Sequence, residues 1–362
     1  EAPAGRTVVI GAGKASAAMA RAFEDHWQGD LTGLVLTRYG HGVECERIEI
    51  VEASHPVPDA AGQAAAARIG ELVSGLTADD LVVCLISGGG SALLSAPADG
   101  LTLEDKQIVN QHLLACGAPI SEMNCVRKHL SSLKGGRLAV QAHPARVWSL
   151  IISDVPGDDP SIVASGPTVP DPSTRHVALE IVRKYQLEIP SHIIGFLKTP
   201  DADTPKPGDP RFETVTTRMI ATPARSLTAA IGVAEAAGYA VVSLGDQVEG
   251  EAREVAREHA ELALAIAAGS GPVKTPAVVL SGGETTVTLT GTGRGGRNSE
   301  YALGLAIALD GHSAISAIAG DTDGIDGSED NAGAVVLPDT LERALDTGLD
   351  AAARLENNDG YG

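Results

Sequence analysis

The sequence predicts an α/β fold in two domains, and three observations carry that prediction. Short apolar runs alternate with amphipathic stretches through the first half, a proline-rich break follows, and the alternation then restarts. A chain of 362 residues is long enough for two separate cores, since single cores stop growing near about 250–300 residues. In order, Thr7–Ile10 reads as a strand, Ala15–Trp27 as a helix, and Leu34–Thr37 and Arg47–Val51 as strands. Asp59–Ser74 is an Ala-rich helix, Leu81–Ile86 a buried strand, Glu104–Cys116 and Ser121–Ser132 helices, and Val147–Ile152 a strand. Alternation at this spacing implies a mostly parallel sheet with helices on both faces. Right-handed crossovers then place the loop after each strand along one edge, where such sheets bind ligands.

Between Thr199 and Pro210 the chain carries four prolines and no apolar run, which marks a loop or an interdomain connection. The predicted domains are therefore 1–210 and 211–362. In the second, Val215–Ile220, Ala240–Leu244, Ala277–Leu280, Thr285–Leu289, Ile315–Ile318 and Ala334–Leu337 read as strands. Pro223–Ala237, Gly250–Ala268 and Asn298–Leu309 read as helices. Ser281-Gly-Gly-Glu284 between two strands looks like a hairpin, so the second sheet is expected to be mixed.

Hydrophobic residues make up 43% and charged residues 20%, a globular balance. No apolar run approaches the roughly 20 residues needed to cross a bilayer, and no charged-then-apolar leader opens the chain. The four cysteines form no C-x-x-C pair, and no His cluster stands near them at zinc spacing, so free thiols in a reducing, cytoplasmic setting are expected. The formal charge is −20, which argues against nucleic acid as a partner. In so acidic a chain, Lys and Arg inside glycine-rich loops become informative.

Gly11-Ala-Gly-Lys-Ala-Ser16 follows a strand and opens a helix, offering a glycine turn with Lys14 as a point charge at an anion site. It departs from a dinucleotide fingerprint at Ser16, and the second strand ends in Thr37-Arg38 with no ribose-binding acid. Ser87-Gly88-Gly89-Gly90-Ser91 after a buried strand leaves several N–H groups unobstructed, a concavity for phosphate or carboxylate. Arg127, Lys128, His129, Lys134 and Arg137 fall within fourteen residues. On a helix, Arg127 and Ser131 share a face, with Lys134 about one turn further. Asp154 stands at the end of a strand, the place of a Mg²⁺ ligand or base, whereas Asp158 and Asp159 read as turn initiators. Gly291-Thr-Gly-Arg-Gly-Gly-Arg297 sets Arg294 and Arg297 among four glycines before a helix, where guanidinium forks suit phosphate oxygens. Glu300 in that helix is a capping acid or a partner of Arg297. Asp321, Asp323 and Asp326 interleave with glycines in a loop that lacks the closing Glu of an EF-hand and suits a Mg²⁺ or nucleotide contact.

Taken in order, Gly11–Ser16, Ser54–Asp59, Ser87–Leu93, Arg127–Ser131 with Lys134–Ala139, Ser153–Pro156 with Ser165–Pro167, Thr204–Pro210, Ser281–Glu284, Gly293–Glu300 and Asp321–Gly327 resemble the class II glycerate 2-kinases, whose C-terminal part is called the MOFRL domain. The resemblance implies ATP- and Mg²⁺-dependent phosphorylation of D-glycerate to 2-phosphoglycerate. It also implies a Rossmann-like N-terminal domain packed on a C-terminal α/β domain, with the active site in the cleft, and it is compatible with a homodimer. Lys14 and Arg297 match charged active-site positions and would neutralise the transferring phosphoryl group. The Ser87–Ser91 amides would cradle a phosphate or the glycerate carboxylate, and Asp154 would face the 2-hydroxyl as base or metal ligand. Arg127, Lys134, Arg294 and Glu300 are further candidates for substrate or phosphate contact. The chain has no initiator Met and the family continues past Asn358-Asp-Gly-Tyr-Gly362, so segments beyond both ends are expected. The competing expectations are an NAD(P)H-dependent hydroxypyruvate reductase, which the missing ribose acid disfavours, and a non-catalytic sugar-phosphate-binding protein.

Overall fold

The computed structural model describes residues 2–327 and 329–362. The chain divides into two compact units, one ending at Thr222 and the other beginning at Pro223. In the first unit β1 (Thr7–Ala12), α1 (Ser16–His26), β2 (Thr32–Arg38), β3 (Ile48–Ala53), α2 (Ala60–Val73) and β4 (Leu81–Ile86) follow the expected alternation. Then come α3 (Gly90–Leu93), α4 (Leu103–Ala115), α5 (Ile120–His129), α6 (Arg137–Ala142), β5 (Arg146–Ile152), α7 (Arg175–Lys184), α8 (Ser191–Leu197) and β6 (Val215–Ala221).

The six strands form one sheet in the order β3-β2-β1-β4-β5-β6, every neighbouring pair parallel. β1 and β4 lie at its centre and are buried along their whole length, which is why both read as unbroken apolar runs. Val9, Val35, Val83 and Leu85 pack on one face, and Ile10, Leu34, Leu36 and Ile86 on the other. Cys84 belongs to the second layer, where burial pushes its thiol up to about 12. The order reverses between β1 and β4, so the loops leaving them run apart at the carboxyl edge, the place where open α/β sheets take ligands. β6 belongs to this sheet through its pairing with β5. The division therefore falls after Thr222 and not after Pro210.

The proline-rich segment is no slack linker. Thr204 is buried and donates to Asp171 at 3.0 Å, and Arg137 donates to the carbonyls of Asp201 and Asp203. The helices α4, α5, α7 and α8 enclose their own apolar cluster around Leu113, Val126, Ile181 and Ile193. α7 and α8 lie in a stretch without strands, where alternation offers no cue.

The second unit holds α9 (Pro223–Ala236), β7 (Ala240–Ser243), β8 (Val248–Glu251), α10 (Ala252–Ala267), β9 (Ala277–Leu280), β10 (Gly283–Thr286), α11 (Arg297–Leu309), β11 (Ala317–Gly320), β12 (Gly333–Val336), α12 (Thr340–Asp346) and α13 (Ala351–Glu356). Both strand senses occur, but in separate pairs: β7 with β9 and β8 with β10 are parallel, while β11 with β12 is antiparallel. The hairpin expected at Ser281–Glu284 is absent from this arrangement. Gly282 N–H reaches Gly245 O at 2.8 Å and Val248 N–H reaches Gly282 O at 3.0 Å, so two segments cross there and continue in parallel. A Cβ at Gly283 would collide with the Val248 carbonyl, so the glycine permits the crossing. Among the described residues no helix is long and apolar enough to cross a membrane, and all four cysteines are free.

Candidate active site

At the carboxyl edge of the first sheet, the loops after β1, β3, β4 and β5 bring Lys14, His55, the Gly88–Gly90 turn and Asp154 together. A Cβ on Gly89 would lie 3.1 Å from His55 Nε2 and 3.2 Å from Lys14 Cγ, and one on Gly88 would collide with the Asp154 carboxylate. The turn is therefore walled by a cation, an imidazole and an acid, and only glycine leaves room among them. Gly89 has φ +78°, a conformation other residues adopt at a penalty. Ser87 N–H is bonded to Ala12 O and Gly90 N–H to Ser87 O, but the N–H groups of Gly88, Gly89 and Ser91 make no hydrogen bond among the described residues. Three such donors around one turn suit an anion's oxygens.

The first glycine loop behaves differently. Gly13 N–H goes to Leu36 O at 3.1 Å, Lys14 N–H to Gly88 O at 2.8 Å and Ala15 N–H to Ser87 Oγ at 3.0 Å. A Cβ on Gly11 would strike the Leu85 carbonyl, and one on Gly13 would strike Ser87 Oγ. These glycines let β1's loop pack against β4's, and their amides are spent inside the chain. The anion site expected there reduces to the Lys14 side chain.

Behind Ser91 stands a second charged group. Ser91 Oγ meets Ser165 Oγ at 2.8 Å, Ser165 Oγ meets Asn124 Oδ1 at 3.2 Å, and buried Lys134 donates to the Ser91 carbonyl. Ala164 and Ser165 both hold positive φ, 51° and 61°, an uncommon backbone that aims Ser165 at this point. Arg127, on α5 one turn from Asn124, donates to Asn110. α5 ends at His129, so Ser131 and Lys134 do not extend its face as expected; they follow in the turn beyond it. Burial lowers the affinity of Lys134 for its proton, and neighbouring Lys106 and Arg127 lower it further.

In the second unit, Arg297 opens α11 and forks between Glu284 Oε1 at 2.5 Å and Asp321 Oδ2 at 2.9 Å. Burial opposes its charge, but the hydrogen bonds to Asp321 and Glu284 prevail and raise its pKa. The glycine loop before it is closed by the chain itself. Asn358 Oδ1 accepts from Thr290 and Gly291 N–H, Asn357 Oδ1 from Thr292 N–H, Asn357 O from Gly293 N–H, and Asp359 Oδ1 from Arg294 N–H. Arg294 is exposed, pairs with Glu329 at 3.3 Å and lies 4.8 Å over the Tyr361 ring.

Two candidates of the sequence reading take structural positions instead. Glu300 is buried and holds Arg253 Nε at 2.8 Å and Asn358 Nδ2 at 2.9 Å, so it anchors the 357–359 turn. Asp326 is fully buried and accepts from the N–H groups of Asn298 and Ser299 and from both their side chains, capping α11 from a distant loop. Asp321 is committed to Arg297 and to Asp323 N–H, and Asp323 Oδ1 accepts from Ile325 N–H. Among the described residues, no three His, Cys, Asp or Glu side chains gather in a way that holds a metal ion.

Residues 1–198 match a model described as a domain of unknown function (DUF4147), and residues 277–362 match the MOFRL family. The chain belongs to the class II glycerate 2-kinase family. A Thermotoga maritima D-glycerate 2-kinase is 38% identical over 98% of this chain and 84% of its own length. A crystal structure of glycerate kinase from the same organism aligns with TM-score 0.88 at 38% identity, covering 98% of this chain and 85% of that one. An Agrobacterium vitis protein, provisionally named hydroxypyruvate reductase, is 55% identical over 100% of this chain and 82% of its own length.

Sequence reasoning passed over His55, Lys106, Asn124 and Ser165 as site residues. His55 carried a readable signal, since it follows β3 at the same sheet edge as Lys14 and Asp154. Lys106 carried none, standing as one polar residue among others on α4.

Proposed function

We propose that this chain is a glycerate 2-kinase that phosphorylates the 2-hydroxyl of D-glycerate from Mg²⁺-ATP in the cytoplasm. The observation that carries the reading is the glycine turn with three amides that make no hydrogen bond among the described residues, flanked by Lys14, His55 and Asp154. In the step this supports, Asp154 takes the proton of the 2-hydroxyl and the hydroxyl oxygen bonds to the γ-phosphorus. The bond from that phosphorus to the bridging oxygen of ADP then breaks. Lys14 supplies positive charge to the transferring phosphoryl oxygens, because such transfer is mainly positioning and charge stabilisation, and Arg297 is the candidate cation of the second unit. Glu284 and Asp321 keep the Arg297 fork aimed. Among the described residues no three carboxylate, imidazole or thiol groups gather as a ready metal site. Mg²⁺ would arrive on the nucleotide phosphates, with Asp321 or Asp323 as protein carboxylates, and would neutralise phosphate charge.

The competing reductase needs a pyrophosphate against the β1 loop. There the Gly13, Lys14 and Ala15 amides already have partners, and Ser87 fills the space beside Gly13. The deciding experiment is ³¹P NMR of the product from ATP, Mg²⁺ and D-glycerate, run beside NADH consumption with hydroxypyruvate. A 2-phosphoglycerate signal is expected. Appearance of 3-phosphoglycerate would overturn the regiochemistry, and NADH turnover without ADP would overturn the kinase. Ligand binding without turnover would point to the sugar-phosphate-binding alternative.

A further inference from the structure

Lys106, Arg127 and Lys134 form a group of three cations that have no carboxylate partner among the described residues, in a chain whose net charge is −20. Their placement is built by neighbouring elements. Lys106 and Asn110 share a face of α4, and Asn110 receives the Arg127 guanidinium from α5. Lys106 Nζ reaches Ala96 O at 3.4 Å, the same carbonyl that accepts Ser131 Oγ at 3.0 Å. Ser131 Oγ in turn accepts Lys134 N–H at 3.3 Å, and Lys134 Nζ ends on the Ser91 carbonyl. Elsewhere in the same unit a buried lysine is matched, as Lys128 is by Asp171 at 3.4 Å. Three cations left unmatched beside two serine hydroxyls and the glycine turn are expensive to hold together, and an incoming anion relieves that expense.

We propose that Lys106, Arg127 and Lys134 form the subsite for the carboxylate of the acceptor acid, with Lys106 setting the preference for an acid over a neutral alcohol. This rests on the kinase reading above. The carboxylate takes charge-assisted hydrogen bonds from the cations and from Ser91 and Ser165, which places the rest of a short hydroxy acid at the Gly88–Gly90 turn beside Asp154. A planar carboxylate matches the Arg127 fork, and two lysines complete its coordination. The cluster is one-sided for this reason, since a resident acid would compete with the substrate.

The test is Lys106→Met and Lys106→Arg in the full chain, with KM measured separately for D-glycerate and for ATP. In Lys106→Met, KM for D-glycerate rises roughly ten- to a hundredfold while KM for ATP holds, and Lys106→Arg recovers most of the loss. Melting temperatures without nucleotide supply the second readout. D-Glycerate raises the wild-type melting temperature and does not raise that of Lys106→Met, whose unliganded melting point equals or exceeds the wild type's. An unchanged D-glycerate KM, or a loss that falls on ATP instead, would overturn the subsite while leaving the kinase intact. If the wild type makes no 2-phosphoglycerate, the kinase reading falls, and the D-glycerate melting shift still decides the subsite.

Discussion

The Ser87–Ser91 turn and the Gly291–Gly296 loop look alike as strings, since both set several glycines between a strand and a helix. They differ in what the glycines accommodate. In the first, the neighbours are reactive side chains, with His55 and Lys14 facing Gly89 and Asp154 facing Gly88, and three amides make no hydrogen bond among the described residues. In the second, the neighbours are the chain's own backbone at Asn357 and Asp359, and four successive amides are spent on that segment. Glycine richness marks close approach, and only the structure says whether ligand or protein approaches.

The sharpest way to break this comparison is Gly88→Ala. The added methyl displaces Asp154, and kcat for 2-phosphoglycerate formation is expected to fall by about 10²–10³ with the fold retained. Steady-state kinetics beside a thermal melt checks it, and a parallel loss of folding would erase the distinction. Gly293→Ala should do the opposite and lower stability by about 2–3 kcal/mol, because its Cβ meets Asn357 O at 2.6 Å and the Asp359 backbone beside it. Urea denaturation measures that. Asn358→Ala should cost about 1–3 kcal/mol, since it strands Glu300 Oε2 and two loop amides. A neutral result would make the closed loop incidental.

The smallest effect concerns pH. Burial and the charge of Arg127 hold Lys106 down to about 7, and Lys134, whose affinity for its proton burial also lowers, is the third basic group of its cluster. The folded state therefore releases that proton above pH 7, while the unfolded chain keeps it to its ordinary value of 10.5. Between these values the unfolded state binds more protons, so this lysine makes stability rise with pH. Stability measured at pH 7 and pH 9 should rise less in Lys106→Met than in the wild type. Over the same interval the wild-type KM for D-glycerate should increase as the cation is lost.

Much of the first unit was legible because its determinants are local. Thr7–Ala12 and Leu81–Ile86 are apolar throughout, as central parallel strands must be, and Lys14 and Asp154 stand where strand ends predict them. The partners of Glu300 and Asp326 were not legible because they are remote in the chain: Asn358 and Arg253 for one, the first turn of α11 for the other. No local pattern states which of two distant polar residues will face a given carboxylate. The hairpin failed for a related reason, since Gly282-Gly283 permits a tight turn and a close crossing equally well. Lys106 shows the limit most plainly, because an absent counter-ion leaves no trace in a sequence full of acids.

The stitching of residues 290–294 by residues 357–359 also orders events in time. A ribosome delivers the chain from its amino end, so the strands of the first unit, through β6, are complete while the second is still being made. The loop ahead of Arg297 then lacks its clamp until more than sixty further residues, counted by the spacing between Thr292 and Asn357, have been synthesised. A nascent chain can thus carry a finished glycine turn and an unfinished arginine. The loop that presents Arg297 is therefore the later of the two to take shape.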